Sequence, residues 1–386
     1  FSQHNAGMEH DGPGTPSPAR EAVLSNPDLL ASTLFHLNLL DLATSCSVSR
    51  AFCAASTERV RGLNVLRWDR TIRGREAQLA ETGFYFHRHI LMLPDGTFCA
   101  PDVNNHSLRI LDDEGVPLQR IHMFPNGAQP RGPAIGGDGR MYAVNASTGR
   151  TFSSFEKKPD WNWHPSRQTC HSLRWEEADL GWEEKLLSPD GCAVDGETLY
   201  ISDSGHDRVL AVRTRNGSVR RVIGGEHGDG DGMFNRPQGL AAREGLLAVC
   251  DAGNCRLQLF DGPSPSFLRA VGGSGAAPGR FTEPRGVALV GAQGGLLLVV
   301  AESRRMQVLT LLGEPLQLLA PGPPQPAPLR AGPPGLWGVA VGRDDARGCV
   351  VNANSNELHL LTVRAPRLPD AWRRVSWSRT REGGEE

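Results

Sequence analysis

The chain has 386 residues, enough for one large domain and a smaller one, and its 45 glycines and 28 prolines favour short elements joined by turns. Lysine plus arginine (41) nearly balance aspartate plus glutamate (43), so no global charge would attract nucleic acid or an anionic membrane. No apolar run approaches the roughly 18 residues that cross a bilayer, and the eight cysteines form no CxxC pair, which favours a reducing compartment. We expect a protein of the cytoplasm, the nucleus or both, with no membrane partner.

The first 80 residues divide into two predicted segments. Residues 1–20 hold few apolar residues and several helix breakers, which predicts a disordered leader. Residues 21–80 instead place leucines at helical intervals, with Pro27 suited to a helix start and Asp41 to an N-cap. A small α-helical domain is expected there.

Within that domain, "NPDLLASTLFHL" is followed by "LLDLATSCSVSRAF" and then by Trp68, and this order resembles an F-box. The resemblance implies that the helices bind the adaptor of a cullin-RING ubiquitin ligase. Asn26 and Ser49 depart from the F-box pattern, and a purely structural cap on the next domain is the alternative. The adaptor-facing positions that the resemblance implies are Pro27, Leu29, Leu30, Leu34, Leu37, Leu39, Asp41, Leu42, Val48 and Phe52.

From about residue 81 the sequence repeats. The clearest unit, "GLLAVCDAGNCRLQLF" at 245–260, reads as an apolar run, an acidic residue, a polar turn and an alternating strand. The residue that ends the apolar run, here named the anchor, is expected to close the turn by accepting backbone N–H groups two or three residues on, with Gly253 or Asn254 at positive φ. Anchors lie 43 to 58 residues apart, and a β-favouring residue follows each by six positions. The six anchors are Asp102, Asn145, Asp203, Asp251, Glu302 and Asn352.

A glycine precedes five of the six anchors by 12 to 16 residues, where we expect a turn to open the first strand. Four-stranded units of this length stack radially on their neighbours. Six of them predict an all-β six-bladed β-propeller over residues 81–375, followed by a charged tail at 376–386. The units resemble NHL repeats, most closely in "FNRPQGLA" at 234–241 and "LLAVCDAGNCRLQLF" at 246–260.

The run "GDGDG" at 228–232 has the composition of a ligand loop. The sequence after it lacks the lysine and helix of a phosphate loop, and Asp229 and Asp231 lack the spaced partners of a calcium loop. A structural connection between blades is expected instead. A lactonase-like, metal-dependent hydrolase is a less favoured alternative, because turn closure explains the anchor carboxylates. We therefore expect no catalytic residue, no cofactor and no metal.

The segment at 160–182, "DWNWHPSRQTCHSLRWEEADLGW", breaks the repeat period and holds four of the eight tryptophans. Such aromatic density favours either a contact with another protein or a flap packed on the propeller. The spacing of His164, Cys170 and His171 matches no zinc pattern.

These patterns together predict a non-catalytic substrate receptor. Its helices would bind the ubiquitin ligase adaptor and cullin complex, and its propeller would recruit a target protein of unknown identity for ubiquitination and proteasomal degradation. A protein- or RNA-binding scaffold without a ligase role is the alternative, and RNA is not favoured because the arginines are interspersed with acids. The predicted target contacts are His106, Trp161, Trp163, His206, Asn254, Arg304 and Asn354.

Overall fold

The computed structural model of the chain describes residues 65–73, 88–122, 129–147, 149–158, 162–175, 185–292, 295–319 and 335–364. The predicted leader, the adaptor-facing positions of the F-box-like segment, Trp161 and the charged tail lie outside these ranges. Within them, 25 β-strands form six sheets. No helix in the described part of the chain is long and apolar enough to cross a membrane.

Each sheet forms one blade, and the first strand among the described residues is β1 (Leu66–Arg73). From the inner to the outer edge, blade 1 is β2 (Leu91–Met92), β3 (Phe98–Asp102), β4 (Ser107–Leu111) and β5 (Pro117–His122). Blade 2 is β6 (Pro130–Ile135), β7 (Met141–Asn145), β8 (Thr151–Lys157) and β9 (Trp163–Ser172). Blade 3 is β11 (Pro189–Asp195), β12 (Thr198–Asp203), β13 (Arg208–Arg213) and β14 (Ser218–Gly224), with the short β10 (Arg174–Trp175) parallel to its outer edge.

The remaining blades follow the same order. Blade 4 is β15 (Pro237–Arg243), β16 (Leu246–Asp251), β17 (Arg256–Asp261) and β18 (Ser266–Gly272). Blade 5 is β19 (Pro284–Ala292), β20 (Gly295–Glu302), β21 (Arg305–Thr310) and β22 (Pro315–Leu319). Blade 6 is β23 (Leu336–Val341), β24 (Arg347–Asn352), β25 (Glu357–Val363) and, at its outer edge, β1.

The six blades close into a ring, as the repeat predicts. The inner strands β2, β6, β11, β15, β19 and β23 contact one another in this order, and β23 contacts β2 again. The core lies largely between neighbouring blades, where Leu257 of blade 4 packs in one cluster with Leu298 of blade 5. The second strand of a blade is buried on both faces, and for this reason "LLAVCD" of β16 is an unbroken run of buried residues.

Blade 6 is completed by the N-terminal strand. β1 pairs antiparallel with β25, beginning with Leu66 opposite Val363. The side-chain amide of Gln317 in blade 5 accepts the Leu66 N–H at 2.8 Å and donates to the Leu66 carbonyl at 2.6 Å, so β1 is tied to the neighbouring blade as well. The domain boundary predicted at residue 80 therefore moves upstream of β1, and Trp68, which ends the F-box-like pattern, belongs to the propeller.

The recurrent glycine lies inside the inner strands of blades 2 to 6 and does not open a turn before them. A Cβ on Gly239 would lie 2.5 Å from the carbonyl oxygen of Arg285, and one on Gly286 would lie 2.2 Å from that of Trp337. These contacts continue around the ring at Gly132, Gly191 and Gly338. Glycine is required because the backbones of neighbouring inner strands approach too closely for a side chain.

Candidate functional site

One face of the propeller carries two sets of connections. The turns between the second and third strands lie beside the segments that lead from one blade to the next, since Asp251 at the end of β16 accepts the N–H of Asn235 in such a segment at 2.8 Å. Asp203 and Leu187 make the same contact at 2.6 Å. This surface is named the connector face, and it comprises the turns 103–106, 146–147, 149–150, 204–207, 252–255, 303–304 and 353–356 and the connecting segments 185–188, 225–236 and 273–283.

Each of the four acidic anchors holds an arginine of its own blade. The pairs, with their Nε–O distances, are Asp102 and Arg109 (2.9 Å), Asp203 and Arg208 (2.7 Å), Asp251 and Arg256 (2.7 Å), and Glu302 and Arg305 (2.7 Å). All four carboxylates are buried, and a buried carboxylate is tolerated because it is paired and hydrogen-bonded. The sequence predicted that the anchors accept backbone N–H groups of their own turn. In blades 3, 4 and 5 they instead accept a backbone N–H of the connecting segment and hold the arginine of the third strand.

The two amide anchors bind their connecting segments in the same way, since Asn145 accepts the N–H of Gln129 at 3.3 Å and Asn352 accepts that of Gly335 at 3.2 Å, but they also close their turns. Asn145 accepts the N–H of Ser147 at 3.1 Å, and Asn352 accepts that of Ser355 at 3.4 Å, which is the turn-closing role. Positive φ in the blade 4 turn falls on Cys255 (53°), not on Gly253 or Asn254 as the sequence suggested.

The glutamate anchor is explained by a shorter turn. Arg305 follows Glu302 by three positions, whereas the arginine follows the aspartate by five in blades 3 and 4, so a longer acidic side chain spans the same gap. The shortening also changes the register. Met306, not Val308, pairs with Ala301 next to the anchor, and the six-residue spacing in blade 5 therefore does not mark an equivalent position.

The "GDGDG" loop is a structural connection held by an arginine. The guanidinium of Arg256 donates to the carbonyl oxygens of Asp229 at 2.6 Å and Gly230 at 2.7 Å, and blade 5 repeats this arrangement with Arg305. The side chains of Asp229 and Asp231 are exposed. Among the described residues, no group of three histidine, cysteine or acidic side chains could hold a metal ion.

The predicted target contacts separate into two groups. His106, Arg304 and Asn354 are exposed at the tips of turns on the connector face, and their role in target binding stays a prediction. His206 and Asn254 instead bond the anchors of their own blades, at 2.8 Å and 2.9 Å, so both support the turn.

Trp163, a predicted target contact, is only 4% exposed and lies with Phe155 in one core cluster, so its side chain is not accessible at the surface. The segment that breaks the repeat period supplies β9, the outer strand of blade 2, and β10 on the edge of blade 3. Its backbone at Trp163 is clamped by the side-chain amide of Gln119 in blade 1, at 2.7 Å and 2.8 Å. The residues that lengthen this repeat unit thus form strands of the propeller.

His171 in the same segment is part of the packing. Its Nε2 lies 2.9 Å from the Ser154 hydroxyl, and its ring stacks on Phe152 with centroids 4.7 Å apart. Burial, followed by the charge of Arg140, lowers the pKa of His171, so the ring is neutral at physiological pH.

A second group of polar side chains meets at the propeller axis. Six of them occupy the position before the recurrent glycine or its equivalent, and in blade 1 His89 replaces the glycine itself. His89 Nε2 lies 3.1 Å from Oδ1 of Asp190 in blade 3, and because blade 2 lies between these two blades, the contact reaches past it on the axial side of the ring. This group is named the axial cluster and consists of Arg88, His89, Arg131, Asp190, Gln238, Arg285 and Trp337.

Asp190 is the buried negative charge of the axial cluster. It is 4% exposed, and its Oδ1 lies 3.8 Å from Arg88 and 3.7 Å from Arg131. Burial raises the pKa of Asp190, but His89 and the two arginines outweigh that effect and lower the pKa to about 2. The carboxylate is therefore ionised at neutral pH.

The other side of the axial cluster is aromatic and cationic. The guanidinium carbons of Arg88 and Arg285 lie 4.3 Å and 3.9 Å from the ring centre of Trp337, within cation–π distance. Arg285 also pairs with the half-exposed Glu283 at 2.6 Å.

Three buried polar atoms of the axial cluster have no hydrogen-bond partner among the described residues: Arg131 Nε, Arg285 Nε and Gln238 Oε1. Sequence reasoning missed this site. Its signal was the varied residue before the glycine, in "RG", "DG", "QG", "RG" and "WG", where a buried strand would otherwise be apolar.

Comparison with known proteins places these features in context. No family model matches the chain. It is 39% identical over 84 residues to NHL repeat-containing protein 2 of Gallus gallus, covering 20% of this chain and 11% of that protein. It is 30% identical over 118 residues to RING finger protein nhl-1 of Caenorhabditis elegans, covering 27% and 12%. The chain is a six-bladed β-propeller with NHL-repeat relatives. It spans only about an eighth of the length of the curated relatives it matches.

Solved structures of other proteins share the fold with this six-bladed propeller. A protein of unknown function from Bacteroides thetaiotaomicron superposes with a TM-score of 0.53 at 14% identity, covering 73% of this chain and 70% of that one. A gluconolactonase from Xanthomonas campestris superposes with a TM-score of 0.52 at 14% identity, covering 73% and 87%. At this identity the likeness concerns the fold alone.

Proposed function

We propose that the chain is a non-catalytic substrate receptor of a cullin-RING ubiquitin ligase. The F-box-like segment binds the ligase adaptor, and the connector face of the propeller binds the target protein. The mechanism is proximity, because holding a target lysine near the charged ubiquitin carrier raises its effective concentration without any covalent step on this chain.

The observation that carries the proposal is the use of every buried acidic anchor in an ion pair of its own blade. A metal-dependent hydrolase needs carboxylates that converge on a common ion. Here those of the anchors hold arginines, while His106, Arg304 and Asn354 remain exposed on the same face for contact with a macromolecule.

Two further features support a ubiquitin-related role. The order of residues 26–68 resembles an F-box, and one NHL-repeat relative is by name a RING finger protein. Adaptor binding should therefore depend on the leucine-rich stretch that precedes the propeller.

The test is co-precipitation of the full chain with the ligase adaptor. The double substitution Leu34→Asp and Leu37→Asp should reduce adaptor binding by about 30-fold or more, as expected when apolar side chains at the centre of an interface are replaced by charged ones. Leu24→Asp, just before the F-box-like stretch, is the matched control and should bind as the wild type does. Point variants are preferable to a truncation near residue 80, because that truncation would remove β1 from blade 6.

Propeller melting is measured for each variant to separate loss of binding from loss of folding. If the correctly folded wild-type chain does not bind the adaptor, the receptor function is wrong and the chain is a scaffold without a ligase role.

A further inference from the structure

The axial cluster contains charges that the fold does not require. Inner strands of a propeller are satisfied by apolar residues, and burying an arginine costs free energy unless it is fully paired. Arg131 and Arg285 are only 21% and 16% exposed, yet both stand where a small neutral residue would complete the ring.

The charges of this cluster are only partly balanced. Three arginines face two carboxylates, Asp190 and Glu283, so the arginines leave one positive charge in excess. Other buried arginines of this face, such as Arg208, are paired within their own blades. The imbalance is therefore a property of the axis.

The unpartnered atoms indicate the chemistry of the missing group. Arg131 Nε and Arg285 Nε each offer a donor without an acceptor, and Gln238 Oε1 offers an acceptor without a donor. A guanidinium favours a carboxylate or phosphate oxygen. An acidic residue within a peptide supplies both needs, the carboxylate for the arginines and a backbone N–H for the glutamine.

The cluster is reachable from solvent. Arg88 is 41% exposed, and the cluster lies at the start of the inner strands, where the connecting segments of the connector face enter. Trp337 adds an aromatic surface on which Arg88 and Arg285 are already stacked, so the positions of these two side chains are set before a ligand binds.

We propose that the axial cluster is a binding site for an acidic side chain of an extended peptide segment in a partner protein. The carboxylate lies between Arg131 and Arg285, and the peptide backbone donates to Gln238. This inference specifies the target-binding face of the proposed function but involves no adaptor, so the two can fail separately.

The experiment uses the full chain as bait for a displayed library of random 12-residue peptides. Selected peptides should carry Asp or Glu at one fixed position. A fluorescein-labelled peptide from that selection and its twin with Glu→Gln are then compared by fluorescence polarisation, and we expect the twin to bind at least about tenfold more weakly, as for loss of a charge-assisted contact. A phosphoserine version distinguishes a phosphate from a carboxylate as the preferred anion.

Variants locate the site. Arg131→Gln and Arg285→Gln should each abolish the difference between the Glu peptide and its twin, and Arg88→Gln, at a side chain that is 41% exposed, should weaken binding less. The double substitution Arg220→Gln and Arg221→Gln removes two exposed arginines from the outer strand of blade 3 and should leave binding unchanged.

Three results would overturn the proposal: no acidic position among the selected peptides, equal binding of the Glu peptide to wild type and to a folded Arg131→Gln or Arg285→Gln variant, or competition by single-stranded RNA but not by the unlabelled Glu peptide. Loss of adaptor binding in the separate co-precipitation would leave this result untouched.

Discussion

The anchors and the axial cluster lie on the same face of the propeller and use the same residue types, yet the anchors form ion pairs within one blade and Asp190 of the axial cluster forms them between blades. An anchor such as Asp203 pairs with Arg208 from the same blade, and both are fully buried. At the axis, Asp190 is approached by residues from blades 1 and 2, and polar atoms remain without partners. Arginine–carboxylate pairs within a blade stabilise that blade, whereas charges contributed by several blades form a shared site that another molecule can complete.

The largest effect is expected at an anchor. Asp203→Asn leaves the charge of Arg208 buried and uncompensated, so the free energy of unfolding should fall by about 3–5 kcal/mol. Urea denaturation followed by circular dichroism measures it. Asp231→Asn, at an exposed position, is the control, and an equal effect of the two changes would mean that the anchor pair is not structural.

The second effect concerns the ring that places the axial side chains. Gly239→Ala forces a Cβ to within 2.5 Å of the Arg285 carbonyl, and overpacking of this kind should cost about 1–3 kcal/mol. Affinity for the Glu peptide should fall as well, because Arg285 is displaced. Gly245→Ala, where a Cβ would meet only the Pro263 ring at 3.8 Å, tests the strain of positive φ without the clash. A smaller melting shift for Gly239→Ala than for Gly245→Ala would contradict the close approach.

At Asp190 a substitution should lower the stability of the propeller but raise its affinity for the Glu peptide. Asp190→Asn removes an ionised carboxylate whose pKa is lowered from 3.8 to about 2, and should cost about 2 kcal/mol at neutral pH. A lowered pKa means that this stability is present above pH 4 and is lost as the pH falls towards 2. The difference between wild type and variant should therefore shrink over that interval.

Removing the same carboxylate should also strengthen binding of the Glu peptide, because the arginines lose their internal competitor. Polarisation at neutral pH measures this. Weaker binding by a folded Asp190→Asn variant would show that Asp190 supports the ligand site instead of competing with it.

The smallest effect is expected in the glycine- and aspartate-rich loop. Asp229→Asn combined with Asp231→Asn should change stability by less than about 0.5 kcal/mol, because the loop is held through its backbone carbonyls by Arg256. Thermal melting with and without calcium checks this. A calcium-dependent rise in the melting temperature that is lost in the variant would show that the loop binds calcium.

Regular features of the fold were predictable because they are local. The apolar run before Asp251 and the spacing of the anchors follow from a strand buried on both faces, repeated in each blade. The pairing of β1 with β25 was not predictable, because the two strands lie far apart in the sequence and "LRWDRTIR" of β1 shows no clear alternation of apolar and polar residues.

The site was harder to predict for a related reason. An arginine before a glycine has the same appearance in a sequence whether it lies on the surface or at an axis, and only the ring brings His89 and Asp190 together. Trp163 was misjudged because aromatic density is equally typical of a contact surface and of a core.

The pairing of β1 with β25 has a consequence during synthesis. Among the described strands β1 is synthesised first and its partner β25 last. About 290 residues separate Arg73 from Val363, and at roughly 5–20 residues per second their synthesis takes on the order of half a minute. Until then β1 has no partner strand, and unpaired strand edges are prone to aggregation. The completed ring thus depends on whatever protects its nascent chain during that interval.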